Sequence, residues 1–221
     1  MNGNRRTYRH IMSSLRQLHP HQLTARQARH LNTMAAMISG IVLAQSSQLE
    51  RIARKIPEKT QVESRIKRFT RFNQNQQVAA EAYYLPFLER LIAGLATTGS
   101  ITLAMDGSET GRNCMTLMVS LIYRKRALPI AWLTVRGKKG HLAEAVHIKL
   151  LQQVQALFPQ ESHVVFLGDG EFDGIHLQAA ITAAGWEYVC RTARNRIIND
   201  DGDQFALSDI ALAPGNCIDM I

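Results

Sequence analysis

The chain is 221 residues long, enough for one or two domains of about 100–200 residues each, and its 46% apolar and 20% charged residues can build a packed core. Gly (14), Pro (6) and Cys (3) are at ordinary or low levels, which excludes fibrous, low-complexity and disulfide-stapled classes. The formal charge of +8 is unevenly placed: residues 1–75 hold 14 Lys/Arg against Glu50, Glu58 and Glu63, a net of +11, whereas residues 76–221 are net −3. A basic front joined to a mildly acidic remainder reads as a polyanion-binding module attached to a second function. Nucleic acid is the commonest such polyanion, and an anionic membrane surface is its rival.

Residues 1–95 read as helices. Met1 to His10 is polar and basic without an apolar stretch, so no secretory signal is expected. Thr24-Ala25-Arg26-Gln27 and Ser47-Gln48-Leu49-Glu50 both fit the capping box, in which hydroxyl and N3 side chain satisfy each other's amides. After Thr24, Ala28, Leu31, Ala35, Ile38 and Val42 recur on one helical face. The longest apolar-leaning run, Leu31 to Ala44, is too short for a bilayer of ~30 Å. A short helix follows Ser47 and ends before Pro57, and another runs from near Thr60 to about Phe72. On the latter, Val62, Ile66 and Phe69 cluster within about 60°, and Arg65, Lys67, Arg68 and Arg71 occupy an adjoining arc of about 160°. The pair resembles a helix-turn-helix, with these four residues as candidate DNA contacts; a solvated basic face on a bundle helix is the equal alternative. Glu81 to Ala96 reads as one more helix, and Thr97-Thr98-Gly99-Ser100 as a junction between a helical region, 1–95, and a second region, 96–221.

Beyond Gly99 the periodicity changes. Ile101–Met105 is a short apolar strand ending at Asp106-Gly107-Ser108, and Cys114–Tyr123 and Leu128–Val135 form a hairpin across Arg124–Ala127. Gly137-Lys138-Lys139-Gly140 breaks the chain without phosphate-loop spacing and precedes an amphipathic helix, Leu142–Phe158. Val164–Leu167 is a buried-type strand ending at Gly168-Asp169-Gly170, followed by a helix from about Asp173 to Ala184 and a strand, Glu187–Arg191. This order predicts an α/β fold with a mixed sheet, and resembles the ribonuclease H-like arrangement. In that topology Asp106 and Asp169 emerge from neighbouring parallel strands at the carboxyl edge, where open α/β sheets bind ligands. Two such aspartates suit Mg²⁺ or Mn²⁺ and phosphodiester chemistry. A lone Asp-Gly is more often a plain turn; two, each directly after an apolar strand, favour a site. The eight histidines form no ligand quartet, and Cys114, Cys190 and Cys217 lie far apart, as in a reducing compartment. A soluble cytoplasmic protein is expected.

Five segments together resemble one family: Met37–Ile41, Ser64–Phe69, Ala104–Ser108, Arg126–Trp132 and Leu167–Gly174. In this order they are similar to bacterial insertion-sequence transposases of the DDE class, in the insertion-sequence-four family. The resemblance implies an N-terminal helical DNA-binding region and a ribonuclease H-like catalytic core. It also implies Mg²⁺-dependent hydrolysis and strand transfer at transposon ends, with double-stranded element and target DNA as partners. It places the first catalytic and metal-binding carboxylate on Asp106 and the second on Asp169. Glu171 and Asp173 are rivals for the second role, Asp173 better fitting a helix N-cap, and Glu109 is a solvated neighbour of Asp106. Arg124, Lys125, Arg126, Lys138 and Lys139 either line a DNA track or are exposed turn residues.

The family's third carboxylate, a Glu on a later helix with Tyr, Arg and Lys at helical spacing, has no counterpart here; the acidic run Asn199–Asp203 reads as an exposed loop. The expectation is therefore an incomplete DDE transposase with a partial catalytic domain, in a homodimer or a mixed assembly with full-length transposase. It should leave apolar surface near Val164–Leu167 and Tyr188–Val189 partly exposed and prone to association. A non-catalytic DNA-binding remnant or transposase inhibitor, and an unrelated Mg²⁺-dependent phosphotransfer enzyme, are the other readings.

Overall fold

The computed structural model describes residues 2–19, 22–111, 113–137, 142–200 and 202–210. The chain divides into two compact units, Met1–Leu91 and Ile92–Ile221, the boundary lying within a helix four residues before the expected junction.

The first unit is helical. Helix α1 (Asn2–Leu18) turns Tyr8, Ile11, Met12 and Leu15 inward at the spacing of one helical face. Helix α2 (Ala25–Ala44) begins with the Thr24/Gln27 capping box read from the sequence. Helix α3 (Leu49–Lys55) has Gln48 as its N-cap with no side-chain bond, so the second capping box is not formed. Helix α4 (Val62–Asn73) starts two residues later than expected. These helices close on Ala36, Ile52, Ala53, Ile56 and Phe69, flanked by Tyr8, Met37, Leu49, Val62 and Ile66. Gly40 permits the α2–α3 approach: a Cβ there would meet Ile52 Cγ2 at 2.5 Å. The single helix expected at 81–96 is two, α5 (Ala80–Tyr83) and α6 (Leu85–Ala96), broken at Tyr84. Pro86 causes the break, because it has no N–H for the preceding turn and crowds the carbonyl four residues back.

The second unit is α/β, with a mixed five-stranded sheet of order β3-β2-β1-β4-β5. Strands β1 (Ile101–Gly111), β2 (Cys114–Tyr123) and β3 (Arg126–Arg136) are antiparallel neighbours. The β2–β3 turn is only Arg124–Lys125, both at positive φ (47° and 64°), the backbone of a two-residue hairpin usually built with Asn or Gly. Helix α7 (Glu144–Gln155) leads to β4 (Val164–Gly168), and α8 (Ile175–Ala183) to β5 (Glu187–Cys190); β1, β4 and β5 are parallel. Helix α7 packs on β2, β3 and α8, and α8 on β5. They bury Leu150, Leu151, Val154, Leu177 and Ile181, and the sheet buries Leu103, Met105, Leu117, Val119 and Phe166. On β4, Val164 and Phe166 are fully covered while Val165 and Leu167 are half-buried, so the expected partial exposure holds for one face of the strand; Tyr188 and Val189 on edge strand β5 are 40% and 63% exposed. The acidic run read as a loop is a hairpin, β6 (Ile197–Asp200) and β7 (Asp203–Ala206), followed by a short 3₁₀ turn, Leu207–Asp209. Among the described residues no helix is long and apolar enough to cross a membrane.

Candidate functional site

Strands β1 and β4 pair in parallel from Ile101↔Val164 to Ala104↔Leu167. Asp106 stands two residues further along β1, and Asp169 is the first residue beyond the end of β4. Both lie two residues past the last β1–β4 pair, Ala104↔Leu167, so both leave the same end of that pairing. Within β1, Asp106 lies on the face opposite Leu103 and Met105 of the buried row. Both aspartates are exposed. The sequence put Asp106 at the end of its strand; β1 instead continues to Gly111, pairing Asp106 with Met118 of β2. What ends near Asp106 is the pairing with β4.

Each carboxylate is oriented by backbone. Asp106 Oδ1 accepts from Gly107 N at 2.8 Å, and Asp169 Oδ1 accepts from Glu171 N at 3.0 Å. The chain turns sharply after β4, with Phe172 N donating to Asp169 O at 3.0 Å. Gly168 makes this possible: a Cβ there would fall 2.8 Å from Phe172 Cβ and 3.1 Å from Cys190 Sγ. The buried Phe172 therefore locks the turn beneath the sheet edge and leaves Asp169 at its tip.

The rival acids go elsewhere. Glu171 turns to the helix-covered side, where a Cβ on Gly107 would lie 3.7 Å from its Oε2. Its Oε1 is buried and makes no hydrogen bond within the described protein; neither does Nε2 of the buried His147, whose ring meets Phe172 edge-on at 5.0 Å. Burial holds the His147 pKa below its ordinary value, against the opposing pull of Glu171 and Glu144. Asp173 does not cap α8, contrary to the sequence reading; Gly174 is the N-cap, and Glu144 of α7 accepts from Leu177 N at 2.7 Å in its place. Asp173 is instead buried, accepting from Arg196 through two nitrogens and from Thr192 Oγ1 at 2.6 Å. Arg196 first, and Thr192 with it, hold its carboxyl below the usual range against the effect of burial. It ties the turn after β4 to the segment after β5. Glu109 is exposed.

The expected DNA contacts on α4 divide. Arg65 is a correction: it is 8% exposed, and its guanidinium donates to the carbonyls of Ala53, Ile56, Glu58 and Thr60. It closes the C-terminal end of α3, whose last carbonyls have no helical partner. Arg68 is half-buried and pairs with Glu58 at 2.9 Å. Lys67 and Arg71 are exposed. Arg124, Lys125 and Arg126 are exposed at the β2–β3 turn; Lys138 and Lys139 lie outside the described residues. Cys190 is a free thiol, and burial raises its pKa.

Among the described residues no group of three or more His, Cys, Asp or Glu gathers to hold a metal ion. Asp106 and Asp169 remain a two-carboxylate edge, a donor set that suits Mg²⁺, which keeps several waters and takes further oxygens from substrate phosphate. The sequence marked Met1 to His10 as polar and basic but named no DNA contact there, although Arg5, Arg6, Arg9 and His10 are all exposed on α1. Their signal was available, as a helix with four arginines and no acid. No protein-family model and no curated protein matches the chain.

Proposed function

We propose that the chain supplies the DNA-binding unit and two metal-binding carboxylates of a DDE-type DNA transposase. The observation that carries the reading is the parallel pairing of β1 with β4, which ends at Ala104↔Leu167, two residues before the exposed Asp106 and Asp169. The strand order β3-β2-β1-β4-β5, with the first three antiparallel and the rest parallel, supports a ribonuclease H-like core. The β6–β7 hairpin follows β5 where the resembled family carries a β-rich insertion. A cytoplasmic site of action fits the free thiol of Cys190.

Asp106 and Asp169 would hold Mg²⁺, and the chemistry it would supply there is activation of a water or 3′-hydroxyl and charge stabilisation on the leaving oxygen. The chain's own residues prepare that place. Gly107 N and Glu171 N fix one oxygen of each carboxylate, and the Phe172-locked turn holds Asp169 just beyond the end of β4. The exposed face lets a duplex approach, and the basic first unit holds its phosphates.

A second reading, a DNA-binding protein without catalysis, is favoured by one observation: no third acid joins the two aspartates among the described residues. Two experiments decide. Mn²⁺ binding in the presence of duplex DNA, followed by electron paramagnetic resonance, should be lost in both Asp106→Ala and Asp169→Ala; equal binding by wild type and variants defeats the metal site. Nicking of DNA carrying the element ends, dependent on Mg²⁺ and abolished in Asp106→Ala, selects the enzyme; tight binding with no nicking selects the second reading.

A further inference from the structure

From the exposed face of α1 we infer that this helix, rather than the basic flank of α4, is the main phosphate-contacting element of the DNA-binding unit. The inference rests on the reading that the chain binds DNA. Arg5, Arg6, Arg9 and His10 occupy two successive turns on the solvent side of α1. The helix contains no Asp or Glu, and among the described residues these three arginines form no ion pair. On α4, by contrast, Arg65 is held by four carbonyls and Arg68 by Glu58, leaving Lys67 and Arg71.

A second element extends the basic face. Asn4 Nδ2 donates to the Lys55 carbonyl at 3.0 Å, fixing the last residue of α3 beside the first turn of α1. The exposed Lys55 side chain therefore starts from the same end of the unit as Arg5 and Arg6. Four permanent cations thus originate from two helices joined by a hydrogen bond, on a unit whose net charge is strongly positive.

The composition of the face selects the polyanion. A helix that lies on a membrane presents an apolar side to the acyl region. Here Tyr8, Ile11, Met12 and Leu15 are turned inward, Tyr8 packing against the α2–α4 core. The exposed positions 5, 6, 9, 10, 13, 16 and 17 carry Arg, His, Ser and Gln, and the exposed apolar Leu18 is the last residue of the helix, about two turns beyond His10. Such a surface neutralises phosphates without inserting anything, as backbone contacts to a duplex require.

The test uses the full chain and a short DNA duplex, with binding measured by fluorescence anisotropy across a salt series. Arg5→Ala/Arg6→Ala/Arg9→Ala should weaken binding at least about tenfold and reduce the slope of log K against log salt by about 2–3, near 0.9 per lost phosphate contact. The triple Lys variant should keep most of the slope, since charge rather than fork geometry is at work. All three positions are exposed, so thermal unfolding should match wild type. An unchanged slope in the triple Ala variant, with a loss in Lys67→Ala/Arg71→Ala, overturns the inference and leaves DNA binding intact. No duplex binding by wild type overturns both. Co-sedimentation with vesicles of phosphatidylcholine and phosphatidylserine, lost in the triple Ala variant while duplex binding is unaffected, assigns the face to a membrane and also overturns it.

Discussion

In the helical unit the buried or half-buried charges are mainly cationic, Arg65 and Arg68, and the exposed ones on α1 are arginines. In the sheet unit the charges drawn inward are anionic, Asp173, Glu144 and Glu171, and those left at the carboxyl edge are Asp106 and Asp169. The same physical demand explains both inward sets. Helix ends leave backbone groups without partners: α3 ends in carbonyls, which need a donor and take Arg65, while α8 begins with amides, which need an acceptor and take Glu144. Net charge therefore overstates what each unit offers a ligand. The residues available for binding are those that no helix end or loop tie has claimed.

That division is open to breaking, most sharply at Arg65. Arg65→Ala strands four carbonyls and should destabilise the chain by about 3 kcal/mol, since hydrogen bonds to charged groups are worth roughly 1.5–3 kcal/mol and buried groups are left unmet. Lys67→Ala, two residues away and exposed, should stay within about 0.5 kcal/mol. Denaturant unfolding by circular dichroism measures both. Tryptophan emission reports the sheet unit alone, because Trp132 and Trp186 both lie there. Equal losses from the two substitutions would mean that Arg65 is no more than another surface cation.

The matching experiment in the sheet unit is Asp173→Ala, expected to cost about 2 kcal/mol by releasing Arg196 and Thr192. Asp106→Ala and Asp169→Ala should fall within about 1 kcal/mol, and a large loss from either would place it among the structural acids. The pH dependence sharpens this. The Asp173 pKa is lower folded than unfolded, so its contribution is present above the unfolded value near 3.9 and is lost as pH falls through the depressed folded value. His147, also depressed, acts in a different window: the unfolded chain takes up a proton near pH 6.5 that the folded chain does not, so stability declines as pH falls from about 6.5 towards the folded pKa. His147→Gln should remove that upper phase and spare the lower one. Unfolding followed from pH 7.5 to 3 would reveal either phase missing from its window.

The smallest expected effect is a gain. Lys125 sits at φ 64° in the β2–β3 turn, a conformation costing a residue with a Cβ roughly 1–2 kcal/mol that glycine does not incur. Lys125→Gly should stabilise by up to about 1 kcal/mol in thermal unfolding after the added chain entropy of glycine is deducted. A loss would show that the lysine side chain has a structural role outside the sheet edge.

Much of the architecture was legible because it is local. Strand β2 has its sequence-read bounds, Cys114–Tyr123, since an apolar run between turn signals fixes them; the Thr24/Gln27 box starts α2 as its residues dictate. Pro86 should have split the helix at 81–96, a sign present but passed over. Asp201-Gly202 is a hairpin signal between two short β-prone runs, obscured by the surrounding acids. The continuation of β1 through Asp106 to Gly111 had no local sign, because Asp-Gly ordinarily marks a turn and only pairing with β2 keeps it extended.

By itself the sequence determined the separation of charge along the chain, the change from helical to strand periodicity near Gly99, and the two aspartates placed after apolar runs. These depend on residue type and spacing over a few turns or strands. Only the tertiary structure decided which charges face solvent. Arg65 and Arg71 are both arginines on the polar arc of one helix, yet α3 brings its unpaired carbonyls to Arg65 and not to Arg71. Asp169 and Asp173 are four residues apart, yet the turn locked by Phe172 sends one to the open edge and the other to Arg196. A side chain's partners are set by what the fold brings beside it, and that information is spread over residues far away in sequence.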